Sequence, residues 1–468
     1  MAGSVQASPG YAITPSSVKA TLPSNYITNF NFLNQYLPDT YEAEFERYGN
    51  RSIASFLRMV GAEMPSNSDL IKWAEQGRLH TKYNAVTAVS ASAGDDVVTF
   101  DIGTGTCVFR KGQTVFLSNN ASSASSYKGI VTDLPSGNPS RFTVAFYNAS
   151  GIATGDTGAT FTAFVYGSEF KKGSNGMTGS LEGQDDIFSN SPIIIKDKYE
   201  VSGSDMAQIG WVEVTSENGA TGYLWYIKSE HETRLRFEDY LEMAMIEAVP
   251  ADAGSGVAAL SSGDLGNKGS EGLFYAIENR GNVWAGGNPT TLADFDAVIQ
   301  RLDKQGAIQE NVIFLNRQFS FDIDDMLASQ NSYGSGGTSY GLFDNDEKMA
   351  LNLGFTGFRR GYDFYKTDWK YLNDVTTRGG VTAQAVNGVL VPAGSVSVYD
   401  QVLGKNAKRP FLHVRYRASE TEDRRYKTWI TGSAGGAATS DLDAMQVNFL
   451  SERALCVMGA NNFFLFRA

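Results

Sequence analysis

The chain has 468 residues and a net charge of -12, from 39 Lys and Arg against 51 Asp and Glu. That balance argues against a uniformly basic surface for gripping polyphosphate. Two cysteines, Cys107 and Cys456, far apart and without CxxC spacing, exclude a zinc ribbon, an iron–sulfur ferredoxin and a disulfide-dense secreted scaffold.

The length suggests about three parts, and 49 glycines, 28 phenylalanines and 22 tyrosines favour strands, turns and aromatic packing. Neither an apolar membrane-length run nor a secretion signal is read, so no membrane partner is expected. Residues 1–39 are poor in charge and lack helical periodicity, which predicts an extended arm. Over 40–82 the pattern changes to short helices. Thr40 caps Tyr41–Tyr48, Ser52–Val60 ends at Gly61, and Ser68-Asp69 opens a turn or two through Ile71, Trp73 and Ala74 to Gly77.

From 83 to 166 the helical signal gives way to short runs such as DVVTFDI, TVFLS, KGIVTD, RFTVAFY and TFTAFV, separated by turn residues. This spacing predicts a small inserted barrel or sandwich. Residues 167–226 are glycine-rich and read as a long two-stranded excursion. The segment 227–271 holds the most helical stretch, Lys228–Ala248, with Leu235, Tyr240, Leu241, Ala244, Met245 and Ala248 on one stripe. Glu230 with Arg234 and Glu232 with Arg236 form (i, i+4) pairs on its solvated side. Within 272–400, Thr291 and Asp294 make a capping box, Gly306 closes that helix, Val312–Leu315 is a buried strand, and a helix runs from Phe321 to Gln330. Residues 401–468 read as strands.

Motifs that could carry chemistry fail on context. Gly337-Thr338-Ser339-Tyr340-Gly341 matches GxSxG, but no apolar strand precedes it. Lys268-Gly269-Ser270 has the wrong order for a phosphate loop, and His231-Glu232 has Leu235 where a zincin places its second histidine. Asp322, Asp324 and Asp325 lack the turn glycine of a calcium loop. No catalytic residue, cofactor or metal ligand is expected, and the chain is not read as an enzyme. The distinctive charge feature is cationic: Lys405, Lys408, Arg409, Arg415, Arg417, Arg424, Arg425 and Lys427 surround an ETED turn in a predicted hairpin. Nucleic acid is one ligand for it. An acidic patch on a neighbouring copy is the favoured one, because the chain as a whole is acidic.

SDLIKWAEQGRLH (Ser68–His80), SPIIIKDKYEVSGSDMAQIGWVEV (Ser191–Val214) and NFLSERALCVMGANNFFLF (Asn448–Phe466) resemble segments of capsid proteins of the crAss-like phage group. The order of parts resembles the Hong Kong 97-type major capsid proteins of tailed bacteriophages (Caudoviricetes). The resemblance implies an α+β fold: an N-terminal arm over 1–39, helices over 40–82 leading into a peripheral domain, an extended loop over 167–226, a spine helix and linker over 227–271, an axial domain over 272–400 and C-terminal strands over 401–468 completing the peripheral domain. The small all-β block at 83–166 departs from the minimal plan as an insert. The implied function is a structural virion protein that self-assembles as hexamers and pentamers into an icosahedral shell around double-stranded DNA. Portal, scaffold and decoration proteins are its implied partners, and assembly in the host cytoplasm follows. Lys171 and Lys172 then lie in the extended loop and, with Arg415, Arg417, Arg424, Arg425 and Lys427, are the candidate interface residues. A carbohydrate-binding or adhesin-type protein using the insert at 83–166 is the alternative.

Overall fold

A computed structural model describes residues 56–57, 62–89, 91–121, 125–207, 214–215, 221–222, 225–260, 267–306, 308–330, 357–400, 405–436 and 438–467. The expected arm, the helix capped by Thr40 and the glycine-rich loop with its GxSxG motif lie outside them; of Ser52–Val60 only Phe56 and Leu57 are described, and they are helical. The chain divides into two compact units, one made of Met1–Trp73 with Ser189–Ala468 and the other of Ala74–Phe188.

The first strands are β1 (Glu63–Ser66) and β2 (Ile71–Gln76). The helix expected from Ser68 to Gly77 is therefore a strand. Ile71 and Trp73 sit two residues apart, so in an extended chain both face Ala454 and Cys456; a helix would turn them about 200° apart.

The second unit is built on a closed six-stranded barrel of β3 (Lys82–Val89), β4 (Val97–Asp101), β5 (Gln113–Asn119), β6 (Ser126–Asp133), β7 (Arg141–Phe146) and β8 (Thr160–Ser168), in the order β3-β4-β7-β6-β5-β8. Each strand alternates, so Val98 and Phe100, Val115 and Leu117, Phe142 and Val144, and Phe161 and Ala163 point inward. Phe100 stacks on Phe142 at 5.7 Å and meets Phe161 edge-on at 5.6 Å. Gly129 has a structural requirement: a Cβ there would lie 2.4 Å from the Ala145 carbonyl oxygen across the β6–β7 ladder.

The chain re-enters the first unit through β9 (Asp185–Asn190) and β10 (Ile193–Ser202), followed by the two-residue strands β11 (Val214–Thr215) and β12 (Thr221–Gly222) and the long helix α1 (Trp225–Glu247). Of the expected two-stranded excursion, the strand begun by Pro192–Ile195 is β10, while the second, near Trp211–Val214, lies outside the described residues except for Val214. β9 pairs with β2, while β10 pairs in antiparallel register with β22 (Ala444–Val457), from Ile193 opposite Arg453 to Ser202 opposite Ala444. Only Ser191 and Pro192 separate β9 from β10, and Pro192 carries no N–H to extend a ladder between them.

After α1 come α2 (Leu273–Arg280), β13 (Asn282–Trp284), α3 (Leu292–Gln305), β14 (Glu310–Leu315) and α4 (Arg317–Gln330). The strands β15 (Gly357–Arg360), β16 (Tyr362–Asp368), β17 (Val386–Pro392), β18 (Ser395–Asp400), β19 (Lys405–Pro410), β20 (Leu412–Arg417), β21 (Lys427–Gly432), β22 and β23 (Phe464–Arg467) complete the chain. Thr291 and Asp294 cap α3 reciprocally, and Gly306 ends it in the left-handed region at φ 71°. One sheet runs β13-β23-β17-β14-β16-β15, with α3 and α4 closing a core of Phe295, Val298, Leu302, Phe319 and Ile323 against it. The other runs β1-β20-β22-β10, with β21 also on β22. A single core spans both, from Val389 and Leu465 of the first sheet through Trp369 and Met245 to Leu412 and Leu455 of the second.

Helix α1 lies on the second sheet through Phe237 and Leu241, which meet Val201, Met445, Val447 and Phe449. Its buried stripe is thus Phe237, Leu241 and Met245, one helical turn apart, with Ile246 beside it; Tyr240 is 42% exposed and Leu235 half-buried. The step of one residue rotates the face by about 100°, which is why Tyr240 leaves the core. Arg234 pairs with Glu230 at 3.5 Å as the spacing predicts, and Arg236 reaches Asp197 on β10 at 3.2 Å.

Candidate interaction surface

The cationic stretch from Lys405 to Lys427 does not fold as one hairpin. Lys408 and Arg409 lie on β19, which pairs with β18. β20 and β21 both run antiparallel to β22 along the edge opposite β10, so they follow one another in the same direction. The chain between them leaves the ladder as a loop closed by a bridge from Ala418 to Asp423, with the ETED residues at its tip. The ladder resumes at Glu452, whose N–H donates to the Arg424 carbonyl at 3.0 Å.

This path brings each predicted interface cation of the C-terminal stretch against a group of its own chain. Arg417 pairs with Asp69 and approaches Glu452 at 3.8 Å, and Arg424 reaches Glu452 at 2.6 Å. Arg425 pairs with Glu63 and lies over the Tyr416 ring at 5.7 Å. Lys427 pairs with Glu422 and sits 5.9 Å from the Trp429 ring; this ammonium holds the Glu422 carboxyl below the usual range. Arg415 is buried, with a guanidinium N–H on the Met64 sulfur at 3.3 Å. A further cation, Arg453, is buried among them: it donates to the Ser451 hydroxyl at 2.8 Å and the Arg425 carbonyl at 3.0 Å, with Glu63 at 3.6 Å. A cavity of about 750 Å³ opens beside this network, bounded by Glu63, Glu238, Glu242, Tyr416 and Arg425. Glu242 accepts the Phe56 N–H at 3.0 Å.

His413 sits in the same sheet, opposite Cys456, with Nδ1 3.1 Å from the Pro410 carbonyl. Burial pushes its pKa from the ordinary 6.5 down to about 4, and the nearby Arg415 and Arg409 charges add to the effect. The neutral ring therefore donates from Nδ1 to Pro410.

Next to the ion pairs the surface is apolar and open. β1 stops at Ser66 and covers only β20, so among the described residues no strand lies on the free side of β21. Thr428, Trp429 and Ile430 are exposed there, the last two at 37% and 44%. Gly432 ends this strand because a Cβ would fall 1.8 Å from the Ala444 carbonyl oxygen. Lys171 and Lys172, in the second unit, stand exposed on an irregular stretch after β8.

The remaining motif residues serve the fold. Ser270 is buried and donates to the Asn190 side chain at 3.1 Å, next to Gly269 at φ 69°. Asp322 and Asp324 lie on α4, accepting from Asn288 and pairing with Lys366, each at 2.5 Å. His231 and Glu232 lie on α1, and among the described residues no group of three or more His, Cys, Asp or Glu side chains is placed to hold a metal ion. Asn190 belongs to no motif in the sequence. Its amide donates to the Glu271 carbonyl at 2.9 Å and the Leu455 carbonyl at 2.7 Å, and accepts from the Glu271 N–H at 2.8 Å, fixing the end of β9 to β22 and to the start of α2. The only signal for it was one amide before an apolar strand.

No protein-family model matches the chain, and no curated protein matches it. Among solved structures it is similar to one from Microbacterium phage Oxtober96, at 10% identity over 92% of this chain and 95% of that one, with a TM-score of 0.40. It is also similar to the capsid of the native GTA particle, at 11% identity over 92% and 96% with a TM-score of 0.38. A third likeness is to a structure from Mycobacterium phage Adephagia, at 7% identity over 95% and 98% with a TM-score of 0.36. Among the described residues no helix is long and apolar enough to cross a membrane.

Proposed function

We propose that the chain is a bacteriophage major capsid protein of the Hong Kong 97 type, a structural subunit of the virion that assembles as hexamers and pentamers into a shell around double-stranded DNA. In this reading α1 with the β20–β22–β10 sheet is the peripheral lobe, the sheet carrying α3 and α4 is the axial lobe, and the barrel is an inserted domain. Lys171 and Lys172 meet a neighbouring subunit. Arg417, Arg424, Arg425 and Lys427 contribute differently: held by Asp69, Glu452, Glu63 and Glu422, they present a pre-formed ionic surface to a neighbour or a scaffold, portal or decoration protein, while Arg415 stays buried against Met64 and contributes through the sheet. Assembly takes place in the host cytoplasm.

The observation that carries the reading is the open apolar edge of β21. A strand with unpaired backbone groups and exposed Trp429 and Ile430 is a liability in a monomer and a contact in an assembly. Electron microscopy of the expressed chain, alone and with a scaffolding factor, tests it. Rings, sheets or shells are expected from the parent chain, and Ile430→Lys should abolish them while leaving the fold's tryptophan fluorescence unchanged. A parent chain that stays monomeric at high concentration under every condition would overturn the capsid reading; normal shells from Ile430→Lys would remove β21 from the contact.

A further inference from the structure

A different surface, on the outside of the barrel, has no role in that reading. Lys128 on β6 stands opposite Phe116 on β5, Phe116 opposite Phe164 on β8, and Phe164 opposite Lys82 on β3. Four neighbouring strands thus set out one transverse row of cation, ring, ring, cation. The two rings touch at 5.2 Å between centroids, and Phe164 is 38% exposed. Strand spacing places the two lysine Cα atoms about 14 Å apart. Tyr147 continues the row beyond Lys128, its N–H on the Lys128 carbonyl at 3.0 Å, and Glu169 accepts its hydroxyl and so fixes the ring.

The adjoining row, two residues along each strand, is neutral and rich in hydrogen-bonding groups: Ser126 opposite Ser118, and Ser118 opposite Thr162. Thr162 donates to the Asn120 side chain at 2.8 Å, which in turn donates to the Asn84 carbonyl at 2.8 Å. Elsewhere on the barrel Arg141 is paired with Asp101 at 2.9 Å and Lys111 with Asp133, whereas Lys82 and Lys128 are exposed and form no ion pair with a described residue. An exposed ring beside a half-buried one, flanked by unpaired cations and bordered by hydroxyls, matches one ligand chemistry closely. Ring faces suit the C–H face of a pyranose, the hydroxyl row suits its hydroxyls, and the lysines suit acid substituents. A single-stranded nucleic acid would need a cationic groove that tracks its backbone, and two lysines about 14 Å apart do not make one.

We propose that this outer wall of the barrel binds an acidic oligosaccharide, stacked on Phe116 and Phe164 and held at its carboxylates by Lys82 and Lys128. The inference stands on the barrel alone and does not depend on assembly. The full chain is titrated with oligomers of galacturonic acid and of sialic acid, with neutral glucose oligomers, and with an oligothymidylate. Binding to at least one acidic oligosaccharide, weakened by added salt, is the expected result. Phe164→Ser should weaken it about tenfold, and Lys82→Gln with Lys128→Gln should remove the salt dependence, all with unchanged circular dichroism. No binding to either acidic oligomer, binding indifferent to these substitutions, equal binding of the neutral oligomer, or tighter binding of the oligothymidylate would each overturn the proposal.

Discussion

In the barrel every strand has a ladder partner on both sides, whereas among the described residues β1, β10 and β21 of the sheet around β22 have a partner on one side only, and β10 and β21 differ from each other. On β10 the exposed positions include Lys196, Lys198 and Glu200, charges that discourage another strand from adding. On β21 the exposed positions are Thr428, Trp429 and Ile430. Closure leaves the barrel's outer wall free for side-chain chemistry, while the open edge of β21 is where the proposed assembly contact would draw on the backbone. Under the two proposals above, fold closure rather than composition separates the unit that offers a ligand surface from the one that offers an assembly contact.

A spectroscopic asymmetry makes this comparison testable. All six tryptophans, at 73, 211, 225, 284, 369 and 429, belong to the first unit, with Trp73 at its boundary, so tryptophan fluorescence reports chiefly on that unit. The largest effect is expected from Met245→Asp, which puts a carboxylate at a position 1% exposed between α1 and the shared core. The cost is on the order of 5 kcal/mol, and native tryptophan emission should be lost at every temperature while the barrel keeps its β-type circular dichroism. Native emission in this variant would show that α1 does not build the core.

The next effect is acid sensitivity. His413 keeps a folded pKa of about 4 against an ordinary 6.5, so as pH falls through that window the unfolded chain takes up the proton first. Its contribution to stability is therefore complete above about pH 6.5 and lost by about pH 4, on the order of 3 kcal/mol in all. The tryptophan-monitored midpoint should drop across this range, and His413→Gln should flatten the drop. A parent and variant with the same pH profile would rule the histidine out as its source.

Local signals in the sequence were legible where neighbours in the chain are also neighbours in space. The Thr291–Asp294 box, the Gly306 terminus and the alternating runs that became β4 to β8 all depend on contacts within a few residues. Partner choice was not legible. Parallel pairing of β1 with β20 and the three partners of β22 join stretches far apart, and a strand's alternation says which face is buried but not which strand lies beside it. The candidate surface failed in the same way. Arg417 was visible as a charge, but Asp69, its partner, lies 348 residues earlier, so a locally cationic segment became a largely neutralised one only through tertiary folding.

The smallest effect concerns the loops that close the barrel. Asp156 is 5% exposed and accepts from the Asn119 amide at 2.6 Å and the Tyr127 hydroxyl at 2.5 Å. Neither donor can readily turn away. The Asn119 oxygen is held by the Ala121 N–H at 2.7 Å, which aims its amine at Asp156, and the Tyr127 oxygen already accepts the Ala153 N–H at 3.1 Å. A carboxylate satisfies both donors, whereas in Asp156→Asn one of the two acceptor positions becomes an amine facing a donor. One buried hydrogen bond is lost at about 1–2 kcal/mol, enough to lower the barrel's melting temperature by about 4–8 °C for each kcal/mol in a domain of this size. Circular dichroism should record that shift while the tryptophan transition stays in place. A tryptophan transition that moved by the same amount would mean that the closed barrel and the open sheet unfold as one, and the distinction between them would be one of surface only.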